Sequence, residues 1–235
     1  MADSEKIQFL PFDKHADVDI RYRNLPHWFQ PGAAIFVTFR TADSLPRDVV
    51  LRMTSQLEHW LASRSLPSAL AKSALDVRLP QHQQILETLA PIDRQELTKQ
   101  SNRLIHHALD ECHGRCLLQR PELAKIVGEA ILHGNDSKYD LDRFVIMPNH
   151  VHAIVQFRTG SSLSVVGQSW MRYSARQINR ITGDRGAFWQ AEPFDHIVRS
   201  ANQFVYLQAY IEQNPAKACL GPDRYFYWNR SESPG

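Results

Sequence analysis

The stretch FVIMPNHVHAIVQF, residues 144–157, constrains the fold more than any other part of the chain. Two apolar runs flank a short break at Pro148-Asn149, and that pattern predicts a β-hairpin. The second arm carries His150 and His152 inside an otherwise apolar run. Alternate residues of a strand share a face, so the two imidazoles stand together while Val151, Ala153 and Val155 point the other way, into a core. Two imidazoles at this spacing can reach one metal ion or one phosphate. The plainer alternative is a pair of half-exposed strand histidines beside a hairpin.

The elements around the hairpin alternate in period. AAIFVTFRTAD, from Ala33, is β-branched and aromatic and predicts a first strand. From about Arg47 to Asn135, RDVVLRMTSQLEHWLASR, QHQQILETLA, IDRQELTKQSNRLIHHALDEC and PELAKIVGEAILHG place apolar residues three and four apart, the mark of helices. SLSVVGQSWMRYSARQINRITG predicts another helix, closed by Gly183. FWQAEPFDHIVR reads as a strand with Pro193 at an edge or bulge. SANQFVYLQAYIEQNP reads as a helix with Ser200 as N-cap and Gln203 completing a capping box, ending at or before Pro215. With most of the helical middle set aside, βαββαβ remains, with one helix appended. The expected class is α+β: a ferredoxin-like antiparallel sheet with a helical insertion after its first strand. Residues 1–32 read as an irregular lead-in. Residues 33–235 read as one domain, and the insertion spans about 48–120.

Composition excludes several classes. Apolar residues make up 43%, which argues against wholesale disorder. The three cysteines, Cys112, Cys116 and Cys219, do not make a disulfide scaffold and fit a reducing, cytoplasmic setting. CHGRC has a C-x3-C spacing and no second pair, so no zinc site is expected there. The N-terminus lacks a signal-peptide pattern, and no apolar run approaches the roughly 20 residues of a membrane span. A net charge of +2 does not by itself announce nucleic acid, but its arrangement is more telling. Arg172, Arg176 and Arg180 recur every four residues and predict a basic stripe on one helix face, suited to phosphate. Trp170, Ile178 and Ile181 are expected to face inward. Arg185 and Arg199 lie nearby, and Phe188 and Trp189 are candidates for stacking on unpaired bases, with Trp189 equally able to be core.

VIMPNHVHAIV resembles the metal-binding strand of the HUH endonuclease superfamily. More narrowly, AAIFVTFR, MPNHVH, FWQAEPFDHIVR and YIEQNPAKA together resemble the REP-associated tyrosine transposases, relatives of insertion sequences that move as single-stranded DNA. The resemblance covers the first strand and most of the chain after Tyr139, and not the helical middle. It implies a tyrosine nucleophile within Tyr-Ile-x-x-Asn-Pro, here Tyr210, so that the appended helix is the catalytic one. It also implies a metal site of His150, His152 and Asn214 holding Mg2+ or Mn2+. Tyr206, one turn earlier, is the rival nucleophile, and Tyr173 is a weaker one. His196 of FDHIVR can approach the site or be structural. Helical spacing puts Gln203, Tyr206, Tyr210 and Asn214 on one face, expected to be free of the core, and Phe204, Leu207 and Ile211 on another.

The implied function is metal-dependent cleavage and rejoining of hairpin-bearing single-stranded DNA through a covalent 5′-phosphotyrosine. No membrane and no obligate protein partner are expected, and monomer and homodimer both stay open. A non-catalytic nucleic-acid-binding module on the same scaffold is the alternative, and it would need neither the histidines nor Tyr210. A zinc hydrolase built on the histidine pair lacks a well-placed carboxylate.

Overall fold

The computed structural model describes residues 8–16, 19–22, 26–75, 80–191 and 193–232, and of 19–22, 26–29 and 80–83 the backbone only. The chain divides into two compact units. One comprises Tyr22–Pro26 and Asp43–Arg115, and the other Met1–Arg21, His27–Ala42 and Cys116–Gly235. Ahead of both main bodies, β1 (Asp19–Tyr22) and β2 (Pro26–Phe29) pair as a two-stranded sheet. This corrects the irregular lead-in expected over 1–32. Ile20, Tyr22, Trp28 and Phe29 are β formers whose runs are too short to stand out in the sequence. Residues 1–7, 17–18 and 23–25 lie outside the described residues.

The Asp43–Arg115 unit is helical: α1 (Arg47–Ala62), α2 (Leu70–Leu75), α3 (Pro80–Glu87) and α4 (Pro91–Asp110). Leu57, Leu61, Leu70, Ala71 and Leu97 form its main core, and Val49, Met53 and Ala108 a smaller one. Its two ends meet. Asp43 Oδ2 accepts from the Arg115 N–H at 2.8 Å. Gly114, at φ +87, lies so close that a Cβ would stand 2.6 Å from the Asp43 carbonyl oxygen. Only glycine fits that turn. The unit therefore leaves and re-enters the chain at one place, as an insertion must.

The second unit holds β3 (Ala34–Arg40), α5 (Pro121–Leu132), β4 (Tyr139–Ile146), β5 (His150–Phe157), α6 (Leu163–Thr182), β6 (Phe194–Ile197), α7 (Ala201–Lys217) and β7 (Phe226–Asn229). The sheet order is β6-β3-β5-β4-β7, with every neighbouring pair antiparallel. Without β7 this is the βαββαβ plan, in which each helix connects two parallel strands with a third strand between them. β7 is an addition that the sequence pattern did not announce. In YFYWN aromatic residues occupy both faces, so no polar-apolar alternation marks it.

Alternation along the central strands divides their side chains between two layers. Val37, Phe39, Phe144, Val151, Ala153 and Val155 pack with Val127 and Ile131 of α5 and Trp170 and Ile178 of α6. Ala34, Phe36, Val145, Met147 and Ile154 pack with Leu207 and Ile211 of α7. His150 and His152 follow the second set.

Candidate active site

Both histidines of β5 are fully buried, at 0% exposure, which removes the half-exposed alternative. Their ring centroids lie 4.6 Å apart. Strand register fixes their surroundings: His152 stands between Thr38 of β3 and Val145 of β4, and His150 opposite Arg40. Thr38 Oγ1 is 2.7 Å from His152 Nδ1. His150 Nδ1 donates to Asn149 Oδ1 at 2.8 Å, since an amide oxygen can only accept. Oxygen partners of this kind hold the tautomer and orientation of metal-binding histidines.

α7 carries Tyr210 to this pair. Ser200 caps the helix by accepting from the Gln203 N–H at 3.1 Å, the expected capping box. Asp142 of β4, buried and in a register shift of the β4–β5 pair, receives both Gln208 Nε2 contacts at 2.9 and 3.0 Å and the Arg143 guanidinium at 2.8 Å. Arg143 also reaches Glu212, 3.6 Å away. These polar ties fix the roll of α7 on the sheet. Tyr210 Oη then lies 3.4 Å from His152 Nε2, at the long end of hydrogen-bond distance. The Tyr210 ring meets His152 edge-on at 5.2 Å and Phe36 at 6.0 Å. Phe36 also stacks on His152 at 5.3 Å and contacts His196 of β6 at 5.2 Å. His196 is thus one ring removed from the pair.

Two details of α7 differ from expectation. The face through Tyr206, Tyr210 and Asn214 is not a free polar face. Tyr206 is 67% exposed, whereas Asn214 is fully buried beside Leu207 and Ile211. Residues 207, 210, 211 and 214 fall on the i, i+3, i+4, i+7 arc that a surface helix turns inward. The helix also does not stop at Asn214. It continues through Pro215 to Lys217. Pro215 has no N–H to offer the Ile211 carbonyl, yet it is buried and the helix runs on past it.

Among the tyrosines whose side chains are described, Tyr210 is the one brought to the histidines. Tyr173 lies on α6, across the sheet. Tyr227 of β7 shares the α7 face, and burial raises its phenol above the usual range. As a metal site, the donor set has two imidazoles and, on the buried arc one turn after Tyr210, the Asn214 amide. Among the described residues no group of three His, Cys, Asp or Glu side chains is placed to hold an ion. The set fits a divalent cation that accepts nitrogen and neutral oxygen donors and draws further oxygens from a bound phosphate.

The expected nucleic-acid residues fare unevenly. Arg172, Arg176 and Arg180 are exposed on α6, with Arg172 reaching Gln168 at 3.2 Å and Arg180 reaching Gln177 at 2.6 Å. Because α6 covers the opposite layer, the stripe and the histidine pair lie on different sides of the sheet. Arg185 is exposed after α6, and Arg199 is exposed just before the α7 cap. Trp189 and Phe188 are both buried, at 5% and 8%, which corrects the stacking role and leaves Trp189 with its core alternative. Trp189 packs edge-on against Phe39 at 4.9 Å and donates Nε1–H to Ser174 Oγ at 2.9 Å. With its polar handle satisfied inside, the indole is core. Ile181, expected inside, is 50% exposed, one residue before the end of α6. Sequence reasoning did not find Thr38, Phe36 or Asp142. Each acts through strand pairing or packing between distant segments. Asn149 stands next to His150 and was within reach.

The antiparallel α+β sheet thus carries a buried His-x-His pair beside a helix-borne tyrosine. The chain belongs to the family "Transposase IS200 like", whose family model matches residues 96–214. The matched span includes His150, His152, Tyr210 and Asn214 but not β3. A solved structure of a REP-associated tyrosine transposase bound to a REP hairpin is similar at 13% identity, over 84% of this chain and 73% of that one, with a TM-score of 0.40. No curated protein matches the chain. Among the described residues no helix is long and apolar enough to cross a membrane.

Proposed function

We propose that the chain cleaves and rejoins hairpin-bearing single-stranded DNA with Tyr210 as nucleophile, in the manner of the REP-associated transposases that MPNHVH and YIEQNP resemble. The observation that carries this reading is the 3.4 Å approach of Tyr210 Oη to His152 Nε2, in a chain of a transposase family. Tyr210 Oη attacks the scissile phosphorus, and the phosphorus–O3′ bond breaks. The leaving oxygen takes a proton and becomes a 3′-OH, while the phenol proton is released. The product is a 5′-phosphotyrosine, and reversal of the same step by a 3′-OH rejoins strands without ATP. His150, His152 and Asn214 would hold Mg2+ or Mn2+, which when bound polarises a phosphate oxygen and aligns the displacement. Thr38 and Asn149 hold the orientation of the two imidazoles.

The test is incubation of the chain with hairpin-bearing single-stranded DNA and Mn2+, followed by denaturing electrophoresis for a protein–DNA adduct. Tyr210→Phe should remove the adduct and leave DNA binding nearly unchanged, and Tyr206→Phe should retain it. An adduct that persists in Tyr210→Phe and disappears in Tyr206→Phe would move the nucleophile one turn back. No adduct from the unaltered chain would remove the reading.

A further inference from the structure

Resting on that reading, we propose that Lys217 is a phosphate-binding residue of the Tyr210 site. The continuation of α7 through Pro215 is what makes this possible. Had the helix stopped at Asn214, the residues after it would have left the helical arc. Instead the Ala218 N–H reaches the Asn214 carbonyl at 3.1 Å and the Leu220 N–H reaches that of Pro215 at 2.9 Å, so Lys217 completes the last turn. It stands two turns after Tyr210, on nearly the same helical bearing. Its Nζ lies over the Tyr210 ring, 5.2 Å from the centroid.

That location is chemically pointed. The nearby acid of α7, Glu212, is turned to Arg143 instead. The attacking oxygen, the phosphoryl group it receives and the phosphotyrosine that results all carry negative charge beside this ring. His150 and His152 bring neutral donors when they serve as ligands. An ammonium is a compact charge with three donors, suited to a phosphate whose oxygens change position during transfer. Lys217 lies outside the 96–214 span matched by the family. Two humbler roles compete: a favourable charge at a helix C-terminus and a cation over an aromatic face. Neither calls for a bound phosphate, so neither predicts a preference for a 5′-phosphorylated strand.

The experiment measures single-turnover adduct formation on hairpin-bearing single-stranded DNA with Mn2+ for the unaltered chain, Lys217→Ala and Lys217→Arg. It is paired with thermal melting and with metal-free binding of the same strand carrying a 5′-phosphate or a 5′-hydroxyl. Lys217→Ala should form adduct about 10- to 100-fold more slowly at saturating DNA, with the melting temperature nearly unchanged. Lys217→Arg should recover most of the rate. In EDTA the unaltered chain should prefer the 5′-phosphorylated strand, and Lys217→Ala should lose that preference. An unchanged rate in Lys217→Ala, or an Lys217→Arg variant as slow as Lys217→Ala, overturns the assignment while leaving Tyr210 as nucleophile. So does the absence of any 5′-phosphate preference in the unaltered chain. If the unaltered chain forms no adduct at all, this assignment falls together with the reading beneath it.

Discussion

The two faces of the sheet are built from the same strands and differ in what they bury. Toward α5 and α6 the central strands present Val37, Phe39, Phe144, Val151, Ala153 and Val155, a layer of aliphatic and aromatic side chains. Toward α7 the same strands bury Thr38, His150, His152 and Asp142, and α7 answers with Asn214. Burying polar groups costs stability unless each finds a partner, and a fold needing only a core would have filled this layer with aliphatics. The α5/α6 face therefore reads as the part that makes the fold, and the α7 face as the part the fold was built to carry. Trp189 illustrates the rule from the other side: its one polar atom is satisfied by Ser174, and the rest of the indole joins the apolar layer.

Substitutions on the two faces should separate stability from chemistry. The largest stability loss is expected at Phe144, which is fully buried and stacked beside Phe226 and Trp228 at 5.9 and 5.6 Å. Phe144→Ala should cost about 3–5 kcal/mol in denaturant unfolding, while the molecules still folded keep their cleavage rate. A rate that falls in proportion to nothing but this cavity would erase the distinction between the faces. His152→Ala should show the converse. Its ring is buried and Thr38 loses a partner, so roughly 1–3 kcal/mol of stability is at stake. Mn2+-dependent cleavage per folded molecule should drop by at least about 100-fold, with hairpin DNA still bound in a filter or mobility assay. Full cleavage by this variant would return the histidines to a structural role.

Thr38→Val is a finer probe of the same face. The methyl keeps the shape of the hydroxyl and removes the 2.7 Å contact of Thr38 Oγ1 with His152 Nδ1. Loss of an outer partner of a ligating histidine typically costs about 10- to 100-fold in metal affinity or activity. A tenfold higher Mn2+ requirement at an unchanged maximal rate is the expected result, read from a metal titration of adduct formation. No change in that titration would mean that the imidazole is oriented without the Thr38 hydroxyl.

Thr38 also shows where the sequence stops being informative. The strands around Ala33, Tyr139 and His150 and the helices of the middle segment are legible because each carries its own period. The grouping of His150 with His152 is legible for the same reason. The pairing of Thr38 with His152 spans 114 residues and exists only once β3 and β5 are in register. β7 escaped because aromatic residues on both faces leave no alternation to read. Pro215 misled because a proline was given its average effect rather than its effect in a last helical turn. The burial of Trp189 depended on Ser174, fifteen residues away, and a nearby cluster of arginines gave the wrong company for it.

The smallest expected effect concerns the arginines themselves, and it tests whether the α5/α6 side of the molecule has a role beyond support. Arg172, Arg176 and Arg180 lie on the outer face of α6, on the other side of the sheet from Tyr210. Replacing all three by Gln should leave stability within about 0.5 kcal/mol, since exposed substitutions rarely do more. If they contact phosphates of a single strand, each loss should reduce the slope of log K against log salt by about 0.7. Cleavage at saturating DNA should keep its rate, because nothing at the histidines has changed. Affinity should weaken most at low salt, where screening is least. An unaltered salt slope would make the stripe a solvated helix surface and leave the α7 side as the one DNA-facing side of the sheet. A lowered rate at saturating DNA would mean instead that contacts across the sheet help to position the strand at Tyr210.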